Sequence, residues 1–392
     1  MLSANDLIPA EDLEHIVAIR RELHRFPEIG FDLPRTVALV KRELDAMGIP
    51  YTEEYGKGSV VGIINGSCTG KTIGLRADMD ALPVQETADV PFKSEIPGAM
   101  HACGHDSHTA MLLGAARVLK RVEKDLKCRV KLLFQPSEEG EISGAAMMVA
   151  NGATDDVDYL LGLHTENTLQ VGKIGIFSGE YMAACHPYTI EFHGKSVHAT
   201  QPHQGHDALA MAVKAYNDIN LMKCRELDPF AKLVLSVSSI QAGHAHNIIT
   251  NYAKMLISFR FYNMEVHDLV DRRIKQICRN AAEELDGTVE FTDAISCPAV
   301  YNDPGVCTVV RKAALKVVGE ENLAEVPQKL SSEDFAHYLT KKPGAMIRIG
   351  TRNEAKGCTE APHNSGFMLD EDGLINGSRL LVQFVLEQSE VG

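Results

Sequence analysis

The chain has 392 residues, of which 45% are hydrophobic and 23% are charged, a composition typical of a globular protein and not of a disordered or fibrous one. Its 39 basic and 53 acidic side chains give a net charge of -14 without any Lys- or Arg-rich run, which argues against a nucleic-acid partner because phosphate binding needs a basic face. The N-terminus lacks the pattern of a signal peptide, and no apolar stretch approaches the roughly 18 residues of a membrane span, so we expect no membrane association.

The cysteines predict the redox state of the thiols, and the chain length predicts the number of domains. The nine cysteines are scattered and include no C-x-x-C pair. In a chain this long, such a distribution indicates reduced thiols in a cytoplasmic protein rather than a disulfide framework. The chain is also longer than a single hydrophobic core usually grows, which predicts two domains.

The first part of the chain alternates amphipathic helices with short apolar strands. Helices are predicted over 11–25 and 34–47, the second ending at Gly48, because apolar residues recur there at helical spacing. Strands are predicted over four apolar runs bounded by turn residues, at 59–64, 72–75, 129–134 and 159–163. This alternation predicts an α/β fold with a mostly parallel sheet flanked by helices.

The middle of the chain has a different pattern, which predicts an inserted α+β domain over 180–296 within a catalytic domain made of 1–179 and 297–392. The insert is expected to contain three strands and two amphipathic helices, at 187–192, 232–240, 253–261, 206–223 and 266–285. The α/β pattern then resumes with a helix, a strand and a closing helix, at 304–318, 345–349 and 373–387.

The densest cluster of possible metal ligands is the segment MHACGHDSH at residues 100–108, just before an apolar helix predicted to start near Thr109. Cys103 and His105 are two residues apart in a glycine-containing turn and can both point at one ion. Thiolate and imidazole suit zinc-like metals. A Cys-x-His pair alone is more often part of an ordinary turn than a metal site, so other ligands must support the metal site.

Further ligand-type side chains follow several of the predicted strands. Sites in open α/β sheets form beyond the carboxyl ends of the strands, so we expect these side chains to gather at one edge. They are Asp78, Asp80, Glu138, Glu139, His164 and His363.

The adjacent carboxylates Glu138 and Glu139 are predicted to have two different roles. Neighbouring residues in a near-extended backbone point in roughly opposite directions, so both side chains are not expected to bind the same ion. One would bind metal while the other serves as a general base towards the substrate water. The alternative is an acidic turn exposed to solvent.

Together these segments resemble the co-catalytic metallopeptidase family of aminoacylases, hippurate hydrolases, glutamate carboxypeptidases and auxin–amino-acid conjugate hydrolases. The MHACGHD segment is typical of the amidohydrolase branch, which has Cys and His where peptidase relatives have Asp and His. The matching segments are LHRFPE at 23–28, LRADMDALP at 75–83, HACGHDSH at 101–108, QPSEEG at 135–140, GLH at 162–164 and SEDF at 332–335.

The resemblance implies two divalent metal ions, which could be zinc, manganese, cobalt or nickel, with one thiolate bridging them. Glu138 matches the general base, and Asp78 matches an acidic residue that orients a metal-binding or neighbouring group. Asp106 is a candidate to orient a ligating imidazole. The residues that match the metal ligands are Cys103, His105, Glu139, His164 and His363.

The insert resembles the lid and dimerisation domain of that family, which implies a homodimer or a dimer-based tetramer. His198, in GKSVHA, would stabilise the tetrahedral oxyanion and is expected to reach the partner subunit's site. Asn247 and Arg260 match substrate-binding positions, and a guanidinium suits a free α-carboxylate. Without the resemblance, His198 and Arg260 would be interpreted as an ordinary loop histidine and a surface ion-pair residue.

The resulting hypothesis is metal-dependent hydrolysis of the amide bond of N-acyl-amino acids, releasing a free amino acid and a carboxylic acid. Cleavage of dipeptides, of C-terminal residues or of aminobenzoyl conjugates by the same two-metal mechanism is the alternative within this class. A metal-free hydrolase with Cys103 as nucleophile is a second class, but it leaves Glu138, Glu139, His164 and His363 unexplained. A non-catalytic metal-binding protein on the same fold is the third.

Overall fold

The structure is a computed structural model that describes residues 3–9, 11–66 and 70–390. The chain forms two compact units. The first consists of Met1–Tyr181, Tyr301–Gln328 and Asp334–Gly392, and the second of Met182–Val300 and Lys329–Glu333. The outer limits of the predicted catalytic domain, residues 1 and 392, lie outside the described residues.

The short segment Lys329–Glu333 belongs to the second unit, whereas the sequence placed it in the catalytic domain. Hydrogen bonds explain the difference. The Tyr262 hydroxyl donates to the Lys329 carbonyl at 2.8 Å, and the Cys297 thiol donates to the Glu333 carbonyl at 3.3 Å. Such contacts link residues far apart in sequence and leave no local pattern.

The described residues contain sixteen strands and ten α-helices. The strands are β1 (Tyr51–Thr52), β2 (Val60–Asn65), β3 (Thr72–Asp78), β4 (Arg129–Gln135), β5 (Tyr159–Gln170), β6 (Ile174–Ile176), β7 (Gly179–Met182), β8 (Ala184–His193), β9 (Val197–His198), β10 (Leu233–Ala242), β11 (Ile248–Ile249), β12 (Tyr252–Phe261), β13 (Thr288–Asp293), β14 (Val300–Asn302), β15 (Leu323–Glu325) and β16 (Gly344–Arg352). The helices are α1 (Ala4–Leu7), α2 (Glu11–Arg25), α3 (Pro34–Met47), α4 (His105–Arg121), α5 (Gly144–Ala150), α6 (Ala208–Arg225), α7 (Met264–Glu283), α8 (Pro304–Val318), α9 (Ala336–Leu339) and α10 (Leu374–Glu390).

The first unit is built on an eight-stranded sheet in the order β1-β2-β4-β3-β5-β16-β6-β15. Its four central strands, β4, β3, β5 and β16, run parallel, while β2 and β6 pair with this central group in the antiparallel sense. Helix α4 is buried along almost its whole length, as expected for a helix that is apolar on most sides and packs within the core. The predicted α/β fold with a mostly parallel central sheet is confirmed.

The second unit contains an antiparallel sheet in the order β10-β12-β8-β13. Alternate residues of β8 and β12 are buried, and these side chains pack with apolar residues of α6 and α7 in a separate hydrophobic core. This unit therefore has the α+β composition predicted for the insert.

Three element boundaries differ from the prediction in places that matter for the site. Helix α4 begins at His105 and not near Thr109, because Gly104 adopts a left-handed conformation (φ 87°) that turns the chain into the helix. Strand β5 continues to Gln170 because β16 pairs with it in parallel register, so His164 lies within the strand and not after it. Asp78 is the last residue of β3 and does not follow the strand.

In the described ranges, no helix combines the length and the apolar character that crossing a membrane requires.

Candidate metal centre

Cys103 and His105 are brought together by the turn that precedes α4. A side chain at Gly104 would place a Cβ atom 2.5 Å from the Thr165 hydroxyl oxygen, so the close approach of this turn to β5 requires glycine. The approach sets the Cys103 Sγ 3.4 Å from Nε2 of His164. Residues from the turn and from the neighbouring strand thus meet at one point.

The tautomers of two buried histidines follow from their hydrogen bonds. Nδ1 of His105 lies 2.9 Å from the Asp80 carbonyl, and Nδ1 of His164 lies 2.7 Å from the Thr165 carbonyl. Because a carbonyl only accepts, each Nδ1 carries a proton, which leaves Nε2 as the ring atom that can bind a metal. Imidazoles that bind metal are commonly fixed in this way.

Nε2 of His105 has no hydrogen-bond partner among the described residues although it is fully buried. It faces oxygen atoms of Asp78, Glu138 and Glu139 at 3.7, 3.9 and 4.0 Å, which is too far for a hydrogen bond. A buried nitrogen that faces three carboxylates without a direct hydrogen bond fits the donor set of a metal site.

His363 completes the group from a loop of the first unit. Its backbone has a positive φ of 69° and its N–H donates to the Ala102 carbonyl at 2.8 Å, which holds the loop against the Cys103 turn. Nε2 of His363 lies 3.0 Å from Oε1 of Glu139. This contact with the Glu139 carboxylate raises the pKa of His363.

Two of the groups of possible ligand atoms in the first unit share one sulfur atom, while His105 also lies in a group with Asp78 and His108 and in another with Glu138 and Glu139. Within each group the atoms lie within 4.8 Å of one another. The first group is Cys103, His105 and His164, and the second is Cys103, Glu139 and His363. Thiolate, imidazole and carboxylate in two sets with one shared sulfur fit two divalent ions of the zinc type.

Burial raises the pKa of the Cys103 thiol, and the nearby His105 only partly opposes this effect. A thiol in such surroundings stays protonated and is a poor nucleophile unless a cation binds the sulfur. This electrostatic environment argues against the metal-free cysteine hydrolase.

Asp78 is completely buried and contacts two cationic or donor groups. Burial alone would raise its pKa, but Arg76, His105 and His108 together hold the pKa well below its usual range. Arg76 Nη1 donates to one oxygen at 2.7 Å, and His108 Nδ1 lies 2.6 Å from the other. Since the Thr165 N–H donates to Nε2 of His108 at 2.9 Å, the His108 proton is on Nδ1 and points at Asp78.

The loop after β4 carries both neighbouring carboxylates, and Asp80 holds its backbone. The two oxygens of Asp80 accept hydrogen bonds from the N–H groups of Glu138 at 2.9 Å and Glu139 at 3.1 Å. Ser137, just before them, has a positive φ of 51°, so the backbone here is not the extended one that the sequence argument assumed. The D-x-D spacing pointed at Asp80 but gave no sign of this contact.

Asp106 lies beside the proposed ligands but has other partners. Its buried carboxylate accepts from His24 Nδ1 at 2.7 Å and pairs with Arg20 Nε at 2.8 Å. The expectation that Asp106 orients a ligating imidazole is therefore wrong. Nearby His101 is 1% exposed, and burial lowers its pKa to about 3, so this ring stays neutral.

The second unit holds the three predicted residues of the insert. His198 is exposed on β9 and its Nδ1 lies 2.8 Å from the Thr200 hydroxyl. Pairing of β9 with β11 brings Asn247 next to it, and the Asn247 carbonyl accepts from the Ala199 N–H at 2.9 Å. Arg260 is half-buried on β12 and donates to the Ser332 hydroxyl at 2.7 Å.

The second unit contains a separate set of possible metal ligands whose negative charge is balanced by a lysine. His186, Asp271 and Asp293 lie close enough to surround an ion. The Lys275 ammonium, however, contacts both carboxylates at 2.8 Å and supplies the compensating positive charge. We assign no metal to this cluster.

A model of peptidase family M20/M25/M40 matches residues 74–387. The chain belongs to this family. The resemblance drawn from the sequence motifs is therefore confirmed, and the chain is a hydrolase of the M20 family. The roles of the individual site residues stay predictions.

Three similar proteins show how broad the M20 relationship is. Thermostable carboxypeptidase 2 of Saccharolobus solfataricus is 37% identical over 95% of both chains. N-acetyl-L-cysteine deacetylase of Bacillus subtilis is 33% identical over 94% of this chain and 87% of its own length. The solved structure of Bacillus subtilis YXEP protein, described as a dinuclear metal-binding peptidase from the M20 family, has 29% identity and a TM-score of 0.83 over 96% of this chain and 98% of its own.

Proposed function

We propose that this M20-family protein binds two divalent metal ions and hydrolyses the amide bond of N-acyl-amino acids. The products are a free amino acid and a carboxylic acid. The observation that supports metal binding is the pair of ligand groups sharing Cys103, together with the buried Nε2 of His105, which has no hydrogen-bond partner among the residues that the structure describes. The residues proposed to hold the metals are Cys103, His105, Glu139, His164 and His363.

Two divalent ions, when bound, lower the pKa of a water molecule and polarise the scissile carbonyl. Glu138 is proposed to take the proton from that water and to pass it to the departing nitrogen, a role that contributes about 10²–10⁴-fold to the rate. Asp78 fixes the orientation of His108, and through the Thr165 N–H this contact stabilises the backbone next to His164.

The proposed substrate carries a free α-carboxylate on the amino acid that is released. Arg260 would bind that carboxylate, since a guanidinium can form two parallel hydrogen bonds to it. Asn247 and His198 would bind the substrate and the oxyanion. The deacetylase relative supports an acyl group on the nitrogen, whereas the carboxypeptidase relative supports a peptide substrate as the second candidate.

We also propose that the second unit forms a homodimer, either alone or as part of a tetramer. Three apolar side chains of α6 at helical spacing, Leu209, Val213 and Tyr216, are each more than 40% exposed. Strand β10 is the edge of its sheet and can pair with another strand. Light scattering on wild type and on Val213→Glu tests the proposal, because a monomeric wild type would contradict it.

The substrate proposal is tested by amine release from N-acetyl, N-benzoyl and longer N-acyl amino acids and from dipeptides. Each is assayed after EDTA and again after adding zinc, manganese, cobalt or nickel. Metal-restored release from N-acyl amino acids supports the first candidate, and a preference for dipeptides supports the second. No release from any substrate with metal bound would favour the non-catalytic alternative.

The role of Glu138 has its own test with a control in the same loop. Glu138→Gln should keep its bound metal and lose at least about 100-fold in turnover. Glu141→Gln, which changes an exposed carboxylate three residues further on, should behave like wild type. Normal turnover in Glu138→Gln would remove this residue from the mechanism.

The role of His198 is tested by mixing subunits. A His198→Ala subunit and a Glu138→Gln subunit are each expected to be inactive as homodimers. If His198 acts on the partner subunit's site, mixed dimers contain one intact site and regain activity. Mixed dimers without activity would show that this assignment is wrong.

A further inference from the structure

Asp334 lies in the SEDF segment, to which the sequence assigned no role, and its carboxylate is held by hydrogen bonds on all sides. The residue is 5% exposed. One oxygen accepts from Arg76 Nη2 at 2.8 Å and from Gln135 Nε2 at 2.8 Å. The other accepts from the Ser143 hydroxyl at 2.7 Å and from the Ala145 N–H at 3.2 Å. A carboxylate with this many donors has one fixed position.

The backbone of the same residue contacts the proposed base. The Asp334 N–H donates to Oε1 of Glu138 at 3.3 Å. The other oxygen of Glu138, Oε2, faces the His105 imidazole at 3.9 Å. The hydrogen bond from Asp334 thus leaves one oxygen of Glu138 directed towards the proposed metal ligands.

The guanidinium of Arg76 connects this contact with the ligand side of the site. Arg76 is 1% exposed and donates to both Asp78 and Asp334. Asp78 in turn contacts His108, whose ring accepts from the Thr165 N–H next to His164. One buried guanidinium therefore contacts both Asp78, which orients His108 beside the strand of His164, and Asp334, whose N–H contacts Glu138.

We infer that Asp334 is a positioning residue, whose buried carboxylate fixes its own N–H and thereby holds Glu138 in place for proton transfer. The inference rests on the proposed function in that it takes Glu138 as the base. Asp334 is not a catalytic residue, because its carboxylate oxygens are taken up by Arg76, Gln135, Ser143 and Ala145.

The test is Asp334→Asn, which keeps the shape of the side chain. The amide nitrogen cannot accept from Ser143 or Ala145, and the negative charge next to Arg76 is lost. In the metal-loaded enzyme we expect kcat to fall about 10- to 100-fold, with KM and bound metal unchanged, because small misplacement of a reacting group has effects of this size. A fall in metal content or an unchanged kcat would overturn the inference.

Glu387→Gln is the matched control for loss of a buried carboxylate. Glu387 on α10 is 1% exposed, belongs to the first unit and pairs with Lys312 and Lys316 of α8, none of which is a proposed ligand. Both Glu387→Gln and Asp334→Asn are expected to lose stability because each removes a buried charge that pairs with a cation, but kcat of Glu387→Gln should stay within about twofold of wild type. An equal fall of kcat in both variants would mean that general destabilisation explains the effect.

A double-mutant cycle with Glu138→Asp separates positioning from a purely structural role. The shorter side chain cannot reach the Asp334 N–H, so Asp334→Asn should reduce kcat much less in this background than in wild type. Equal reductions in both backgrounds would contradict action through Glu138.

Crystal structures of metal-free wild type and Asp334→Asn give a readout that does not depend on activity. We expect the Glu138 carboxylate to leave the 334 N–H in the variant, and an unmoved carboxylate would overturn the inference. If wild type cleaves nothing but the carboxylate moves, the proposed function fails and the positioning contact stands. If Asp334→Asn does not fold, Ser143→Ala removes one donor and should produce the same displacement.

Discussion

Asp80 offers a direct test of how the loop with Glu138 and Glu139 is held. Its carboxylate is 1% exposed and accepts one backbone N–H with each oxygen, at 2.9 and 3.1 Å. Asp80→Asn keeps one acceptor and turns an NH₂ group towards the other N–H. A hydrogen bond to a charged group contributes about 1.5–3 kcal/mol, and a buried N–H without acceptor costs about 1–3 kcal/mol. Since these two effects overlap, we expect a loss of about 2–3 kcal/mol in the free energy of unfolding.

The assay is urea unfolding of metal-free protein followed by circular dichroism, since the chain has no tryptophan to report by fluorescence. The control is Asp89→Asn, an exposed aspartate on the same connection, which should change stability by no more than about 0.5 kcal/mol. Displacement of the loop should also weaken metal binding by about 10- to 100-fold. If Asp80→Asn unfolds like Asp89→Asn and binds metal normally, Asp80 does not hold the loop.

Three further predictions concern other parts of the molecule. Gly144→Ala should cost about 3 kcal/mol or more in urea unfolding, because the added Cβ would lie 1.7 Å from the Pro136 carbonyl oxygen; wild-type stability would contradict that close packing. Burial and the neighbouring His267 lower the pKa of His186, so protonation is easier in the unfolded state. The free energy of unfolding should therefore be at its full value above about pH 6.5 and fall as the pH drops below it. His186→Gln should reduce this fall between pH 7.5 and pH 5, and an unchanged dependence on pH would contradict the prediction. Removing metal with EDTA should lower the thermal midpoint and adding zinc or manganese should restore it, whereas an unaffected midpoint would speak against metal binding by the folded state.

Local sequence signals were enough to predict most elements and the candidate ligands. The predicted helix 304–318 coincides with α8, where Asp303 caps the first turn, Pro304 occupies the first helical position and Gly319 follows the end. Helices α2 and α3 were predicted with the same bounds, and Gly48 adopts the expected left-handed conformation. The candidate ligands were found because their residue types recur near strand ends, which is a pattern along the chain.

The predicted ends of strands and helices were wrong where they depend on residues far away in the sequence. Strand β5 continues past His164 only because β16 lies beside it in parallel register. Helix α4 starts at His105 because Gly104 can pass close to Thr165, and the left-handed glycine was not apparent from the apolar periodicity that begins later.

Sequence alone determined the family, the fold class and the set of chemically competent side chains, because periodicity, turn residues and motif spacing are properties of neighbouring residues. Only the tertiary structure decided which nitrogen of His105 and His164 is available, since carbonyls from Asp80 and Thr165 fix the tautomers. It also brought the Asp80 carboxylate to the Glu138 N–H and the Asp334 N–H to the Glu138 carboxylate, across 58 and 196 residues of sequence. These contacts depend on the register of parallel strands, and strand register brings together residues that no local pattern connects.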